Sequence, residues 1–403
     1  MAGTPLLSVS DARSKILAAL HTVPAETVPL SRASGRVLAE DVIARRTQPP
    51  SDLSAMDGYA VRAADTTNVP ARLKVTGEAP AGDAYDGTIA PGEAVRIFTG
   101  APLPRGADAI VIQEDTERDG DHVIVNEAAR AGDHVRATGL DFRTGDTGIP
   151  HGTRLGPADI ALAAAMNVSE LKVSRRPVVA FFSTGNELVR PGEAPGPNQI
   201  VSANNDGLAA LILEAGGEPL DLGITRDEEA DIRQTAEKAM RADMLVTLGG
   251  ASVGDHDLVQ SALTPDGLDI EFWRVAMRPG KPLMFGTLGA LPMMGLPGNP
   301  VSALVCAELY LKPAILRMQG GSPGPHFTAA RLGRDLSANG TREDYMRATL
   351  DHVDGELSVA TPFEKQDSSM LSVLSQAGCL LVRPAHAGPA KAGDLVKILP
   401  LRR

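Results

Sequence analysis

Aromatic side chains are scarce, at 3% of 403 residues with a single tryptophan. A core built from rings is therefore excluded, and aliphatic side chains must fill the interior. Only two cysteines occur, Cys306 and Cys379. They cannot make a disulfide framework or a Cys-rich zinc site, and both sit in apolar stretches that read as buried free thiols. A basic excess is also missing, since 39 Lys+Arg face 50 Asp+Glu for a net charge of −11. That balance argues against a nucleic-acid backbone or an anionic membrane as the main partner. No apolar run reaches the roughly 18 residues of a spanning helix, and residues 1–7 lack the basic-then-apolar pattern of a signal peptide. The expectation is a cytoplasmic protein. Wholesale disorder is excluded as well, because 43% apolar and 22% charged residues are ordinary globular values.

What is present is Gly 41 and Pro 30, together about 18% of the chain, which implies many tight turns. The length exceeds what one core usually holds and predicts two to four domains. Residues 8–20 read as a helix capped by Ser10, with Ala12, Ile16, Leu17 and Leu20 on one face. From 27 to 175 short strand-like pieces (73–75, 94–97, 109–112, 122–125) alternate with Gly, Pro and Asp turns. A different rhythm starts at Pro177. Strand candidates at 178–182, 220–224, 244–248 and 291–296 alternate with helices at 204–215, 228–241, 257–263 and 301–318. Asn204 and Asn299 are the expected caps, with Pro300 in a first turn. Alternating units of this length predict a doubly wound parallel sheet. After 320–325 the texture returns to strands and predicts a small C-terminal β domain.

Open parallel sheets bind ligands beyond the carboxyl ends of their strands. Four proposed strands are followed by Ser183-Thr184-Gly185-Asn186-Glu187, Thr225-Arg226-Asp227, Gly249-Gly250-Ala251-Ser252 running on to Asp257, and Pro297-Gly298-Asn299-Pro300. Glycine-rich loops entering helices aim N–H groups at an anion. Carboxylates beside them would repel it unless a hard cation such as Mg²⁺ intervenes. Arg274, Arg278 and Lys281 add cationic charge nearby, so the set suits a phosphorylated or nucleotide-bearing ligand. Singly, each element has a plainer reading: Asp227 as a helix cap, Glu187 as a solvated carboxylate, Gly249-Gly250 as a turn, and 297–300 as a turn-and-cap. The joint pattern on one edge carries the weight. Eight histidines, His151 and His256 among them, show no metal-ligand spacing. No nucleophile elbow, P-loop or dinucleotide fingerprint appears. In the N-terminal half, Met56-Asp57-Gly58-Tyr59 is a possible turn, and Phe98-Thr99-Gly100 precedes an apolar strand.

These stretches, in this order, resemble the molybdopterin molybdenumtransferase family, which includes the E domain of gephyrin. The resemblance rests on 54–61, 99–104 with 106–109, 183–188, 249–257, 278–282 and 296–302. It implies a multidomain α/β plus β fold. A doubly wound three-layer α/β domain would hold 1–26 and 177–325, with a linking region at 27–43 and 139–176. A β-rich lobe would hold 44–138, and a small β-barrel-like domain 326–403. It implies insertion of molybdenum from molybdate into adenylylated molybdopterin with Mg²⁺-assisted release of AMP, in a homodimer, with an upstream molybdopterin adenylyltransferase as a possible partner. Carried over by position, Asp57, Glu187 and Lys281 are the expected catalytic residues. Thr99, Asp141, Asp227, Gly249, Gly250, Ser252, Arg274, Arg278, Pro297, Pro300, Arg347 and Ser368 are the expected substrate contacts, and Glu187, Asp227 and Asp257 the metal ligands. Arg274 and Arg278 stand where the family usually has lysine, Leu140 where it usually has Glu, and Asp367 where it usually has Gly. An adenylyltransferase and a non-catalytic pterin-binding scaffold are the rival readings.

Overall fold

The computed structural model describes residues 6–250 and 258–401. Its largest α/β unit is a six-stranded sheet ordered Glu218–Thr225, Val178–Thr184, Met244–Leu248, Leu291–Leu296, Met284–Leu288, Leu268–Trp273. The first four strands are parallel. Alternate side chains feed two cores: Val179, Phe181 and Val246 pack under the helices at Val9–Ala18, Asn204–Glu214 and 300–318. Ala180, Phe182 and Leu245 pack on the other face with Ile232, Ala236 and Val259. A period of two that buries both faces makes three layers.

The last two strands were not expected. Met284–Leu288 runs antiparallel between Leu291–Leu296 and Leu268–Trp273, so the sheet is mixed at one edge. The first helix is capped by Ser8, whose hydroxyl accepts from Asp11 N at 3.1 Å, and Ser10 lies inside it. Asn204 likewise is the first helical residue rather than the cap. That helix ends as expected at Gly216-Gly217: Gly216 takes φ +86°, and Gly217 N donates to Ile212 O and Gly216 N to Leu213 O. This pair of bonds closes the last turn with a left-handed glycine. The long helix is α-helical at Pro300–Cys306 and Lys312–Met318 but passes through a π turn at Ala307–Leu311.

The N-terminal half holds a mixed six-stranded sheet ordered Ala109–Ile112, Gly58–Val61, Glu93–Ile97, Ala71–Ala79, His122–Val125, Thr116–Asp119. Val61, Leu73, Val111 and Val123 fill one of its cores. Between it and the α/β unit, Ala25–Pro29 pairs with Glu170–Ser174 around Leu38, Phe142 and Met166. At the C-terminus five strands close into a barrel: Glu343–Asp351 pairs with both Val359–Pro362 and Cys379–Arg383, and Thr328–Leu332 and Leu395–Pro400 complete the circuit. Cys306 and Cys379 are buried and free, and burial pushes the Cys379 thiol up to about 12.

Candidate active site

The parallel strands wind outward in both directions from Val178–Thr184, because its chain-order successor lies on one side and the next strand on the other. The crevice of such a sheet opens where the order reverses. It lies here between the ends of Val178–Thr184 and Met244–Leu248. Gly249 and Gly250 follow the second strand with φ +91° and +69°. A Cβ on Gly249 would lie 3.0 Å from Thr184 O, and one on Gly250 2.4 Å from Val259 Cγ2. Close approach as well as backbone conformation therefore requires glycine there. The next loop joins them: Gly249 N donates to Leu296 O at 3.1 Å, and Asn204 Nδ2 donates to Gly298 O at 2.7 Å. Beneath these loops the buried Thr184 Oγ1 and Asn204 Oδ1 have no hydrogen-bond partner. Buried polar atoms are rarely left so, and an unfilled ligand site is one reason they are.

Asp227 does not cap the following helix; Glu228 occupies that position. Its carboxylate instead accepts from Asn186 N at 3.3 Å while Asn186 Oδ1 accepts from Asp227 N at 3.2 Å. The loops after the first two strands are thus tied together, with Glu187 exposed beside them. A cleft of about 350 Å³ opens alongside, lined by Gly185, Asn186, Arg190, Thr225 and Arg226. Glu187 and Asp227 offer the hard oxygen donors that Mg²⁺ takes one or two at a time, with phosphate and water completing its shell. Among the described residues no group of three His, Cys, Asp or Glu forms a ready-made metal cage. Ser252 and Asp257 lie outside the described residues.

The cationic segment leads toward the barrel. Arg274 adopts φ +80°, and its guanidinium lies 5.2 Å over the Trp273 ring. Val275 N donates to Lys281 O at 3.0 Å, closing a loop that carries the partly buried Lys281. Met277–Arg278 pairs in parallel with the start of Glu343–Asp351, and Arg278 forms a two-pronged ion pair with Asp344. Farther along that barrel strand Arg347 is only 1% exposed. Its Nη2 donates to Asp367 O at 2.9 Å, its Nε has no partner, and burial lowers its pKa. Gln366 grips the Arg347 backbone at both N and O, each at 2.9 Å. Ser368 then meets the sheet edge directly. Its Oγ accepts from Asn299 Nδ2 at 3.1 Å and its carbonyl from Val301 N at 3.1 Å. Asn299 occupies the cap position, yet its side chain makes no cap bond and turns to the barrel. Pro297 and Pro300 frame that loop.

Asp57 and Thr99 form a second cluster. Asp57 Oδ1 accepts from Thr99 N at 2.7 Å and from Thr99 Oγ1 at 2.8 Å, which holds the carboxyl below the usual range. Gly58 is no turn residue. It opens a strand packed so tightly that a Cβ would sit 2.0 Å from Val111 O. Arg96 lies under the pair, stacked near Tyr59 and Phe98 at 5.1 and 5.0 Å and donating to Gly58 O at 3.2 Å. The sequence offered no signal for Arg96, Asp344 or Gln366, since each works through a partner distant in the chain; Asn186 stood in a candidate loop, but its tie to Asp227 was not legible. Asp141 is exposed in the linking segment, its N–H on Gln48 O at 3.0 Å. Among the described residues no hydrogen bond or ion pair joins the Asp57 cluster or Asp141 to the sheet-edge loops.

Family models match in three consecutive blocks. The MoeA N-terminal region (domain I and II) covers residues 7–167, a probable molybdopterin binding domain covers 180–317, and the MoeA C-terminal region (domain IV) covers 329–401. A molybdopterin molybdenumtransferase of Nostoc sp. is 38% identical over 99% of this chain and 94% of its own length. The chain belongs to the molybdopterin molybdenumtransferase family. It is thus one of a family of enzymes. The molybdopterin molybdenumtransferase 2 of Mycobacterium tuberculosis is 39% identical over 93% of this chain and 95% of its own. A molybdopterin biosynthesis MoeA protein of Pyrococcus horikoshii has a solved structure with TM-score 0.86 at 29% identity, covering 98% of this chain and 99% of its own.

Proposed function

We propose that this chain transfers molybdenum from molybdate to adenylylated molybdopterin and releases AMP, late in molybdenum cofactor biosynthesis. The observation that carries the reading is the cradle at the sheet's switch point. Gly249 and Gly250 approach Thr184 closely, unpartnered polar atoms lie beneath them, and Glu187 and Asp227 lie in the loops after the two strands next in the sheet order. Such a cradle suits a phosphate-bearing ligand accompanied by Mg²⁺. Glu187 and Asp227, with Asp257, are the residues assigned to that ion, which when bound spreads the charge of the phosphate oxygens. Molybdate is a tetrahedral dianion, so cationic and hydroxyl donors suit it. Lys281, Arg274, Arg347 and Ser368 are assigned to it. Asp57 is held ionised by Thr99 and is therefore a weak base. Its role is to orient water or an oxo ligand rather than to keep a proton.

Two further parts of the reading are proposals of the same kind. The protein works as a homodimer in the cytoplasm, with the Asp57 lobe of one copy completing the sheet-edge site of the other. An upstream molybdopterin adenylyltransferase supplies its substrate. The decisive assay is AMP release from adenylylated molybdopterin in Mg²⁺ buffer, with and without molybdate. Release that depends on molybdate and stops on chelation is the expected result. Tight pterin binding without release would overturn the reading in favour of a binding scaffold.

A further inference from the structure

Arg278 stands where its position suggests an oxyanion ligand, yet the face of its guanidinium formed by Nε and Nη2 is committed to a buried carboxylate. Nε donates to Asp344 Oδ1 at 2.7 Å and Nη2 donates to Oδ2, which is the full two-pronged geometry of an Arg–carboxylate pair. The Asp344 side chain is 6% exposed and the Arg278 side chain 60% exposed. A carboxylate that deep needs its counter-charge, and removing one member of such a pair leaves the other desolvated and unpaired. The backbone repeats the contact, because Arg278 and Asp344 are register partners where the α/β domain and the barrel share a two-residue parallel ladder. Each partner also lies three residues before a proposed oxyanion donor: Lys281 follows Arg278, and Arg347 follows Asp344.

We infer that Arg278 and Asp344 form a positioning pair that sets the distance between Lys281 and Arg347, and that Arg278 itself does not bind the oxyanion. Arginine does here what lysine cannot. A point charge gives no fixed plane, whereas the guanidinium fork sets the orientation of one domain against the other. The inference rests on the proposed function only in taking molybdate as the anion.

The test is a double-mutant cycle read as molybdate affinity, by equilibrium dialysis on the whole purified protein without pterin. Arg278→Gln and Asp344→Asn are each expected to raise the molybdate Kd about tenfold. The double variant should be no worse than either, since both remove one interaction. The exchange R278D with D344R should recover most of the loss, as should Arg278→Lys in part. Thermal melts confirm that each variant is folded, and Arg278→Lys serves where Asp344→Asn is not. If Arg278 were a direct ligand, Arg278→Gln would weaken binding, Asp344→Asn would leave it unchanged or tighten it, and the exchange would recover nothing. Equal affinity in all variants would also overturn the inference while leaving the proposed function standing. A wild-type chain that binds no molybdate would remove both.

Discussion

The lowered pKa of Asp57 comes chiefly from one neighbour, Thr99. The backbone N–H of Thr99 lowers its pKa most, the Thr99 hydroxyl next, and Arg96 adds a smaller attraction. With a depressed folded pKa, the carboxylate form persists to lower pH than in the unfolded chain. Whatever stability it contributes is lost as pH falls through that folded value. If turnover needs the ion, the acid limb of the pH–rate profile lies below the ordinary carboxylate range. Thr99→Val keeps the N–H and removes the hydroxyl, so the limb should move upward without vanishing. A limb that stays in place in the variant's profile would separate Asp57 from the rate. Asp57→Asn should lower turnover by about a hundredfold, the loss that a mispositioned reactant brings, as measured by AMP release. At this scale the residues alone read Asp57-Gly58 as a turn, and only the family resemblance singled out Asp57; the strand that Gly58 opens was not legible there. Arg278 was expected as a substrate contact, and its two-pronged pair with Asp344, 66 residues away, was not foreseen. Nothing local in the sequence signals a pair that forms only when two domains meet.

At the scale of elements, short apolar runs bounded by glycine and proline were enough to find the four parallel strands. Buried on both faces, such strands read as continuous hydrophobic stretches. Leu268–Trp273 alternates apolar and polar residues as an edge strand should, with burial to match. That alternation is a weaker signal than the continuous apolar runs of the four parallel strands. The π turn at Ala307–Leu311 was not legible as a break, although its cause stands in the sequence. Pro313 has no N–H to give Leu309 and its ring would press on that carbonyl, so the helix widens by one residue ahead of it. Close strand approach is equally invisible until the pairing is known. Gly58→Ala would drive a methyl into Val111 O and should destabilise the lobe by about 3 kcal/mol, at the upper end for overpacking. A lowered urea midpoint with an unchanged slope would register it. Gly216→Ala should cost about 1–2 kcal/mol, because its φ of +86° closes a helix in the left-handed region. The same melts check it, and an unchanged midpoint would mean the helix end relaxes.

Across the whole molecule the proposed machinery lies in two places. The glycines and carboxylates lie along the carboxyl ends of the parallel strands, and the Asn299–Ser368 and Arg278–Asp344 contacts stitch one side of that edge to the barrel. Asp57 and Thr99 sit in a lobe with its own core, and among the described residues no hydrogen bond or ion pair joins them to that edge. One chemistry divided between two bodies of one chain is completed most simply by a second copy, because a two-fold dimer brings each lobe to the other's edge in two equivalent sites. This makes a prediction that a monomer cannot meet. Asp57→Asn and Glu187→Gln are each expected to be nearly inactive when purified alone. When equal amounts are mixed and allowed to exchange subunits, about half the dimers are mixed by symmetry, and each mixed dimer holds one site with neither defect. AMP release should then return to about a quarter of the wild-type rate. Exchange is followed separately with a tag on one variant. Mixed dimers that form and stay inactive would place both residues in a site within one chain.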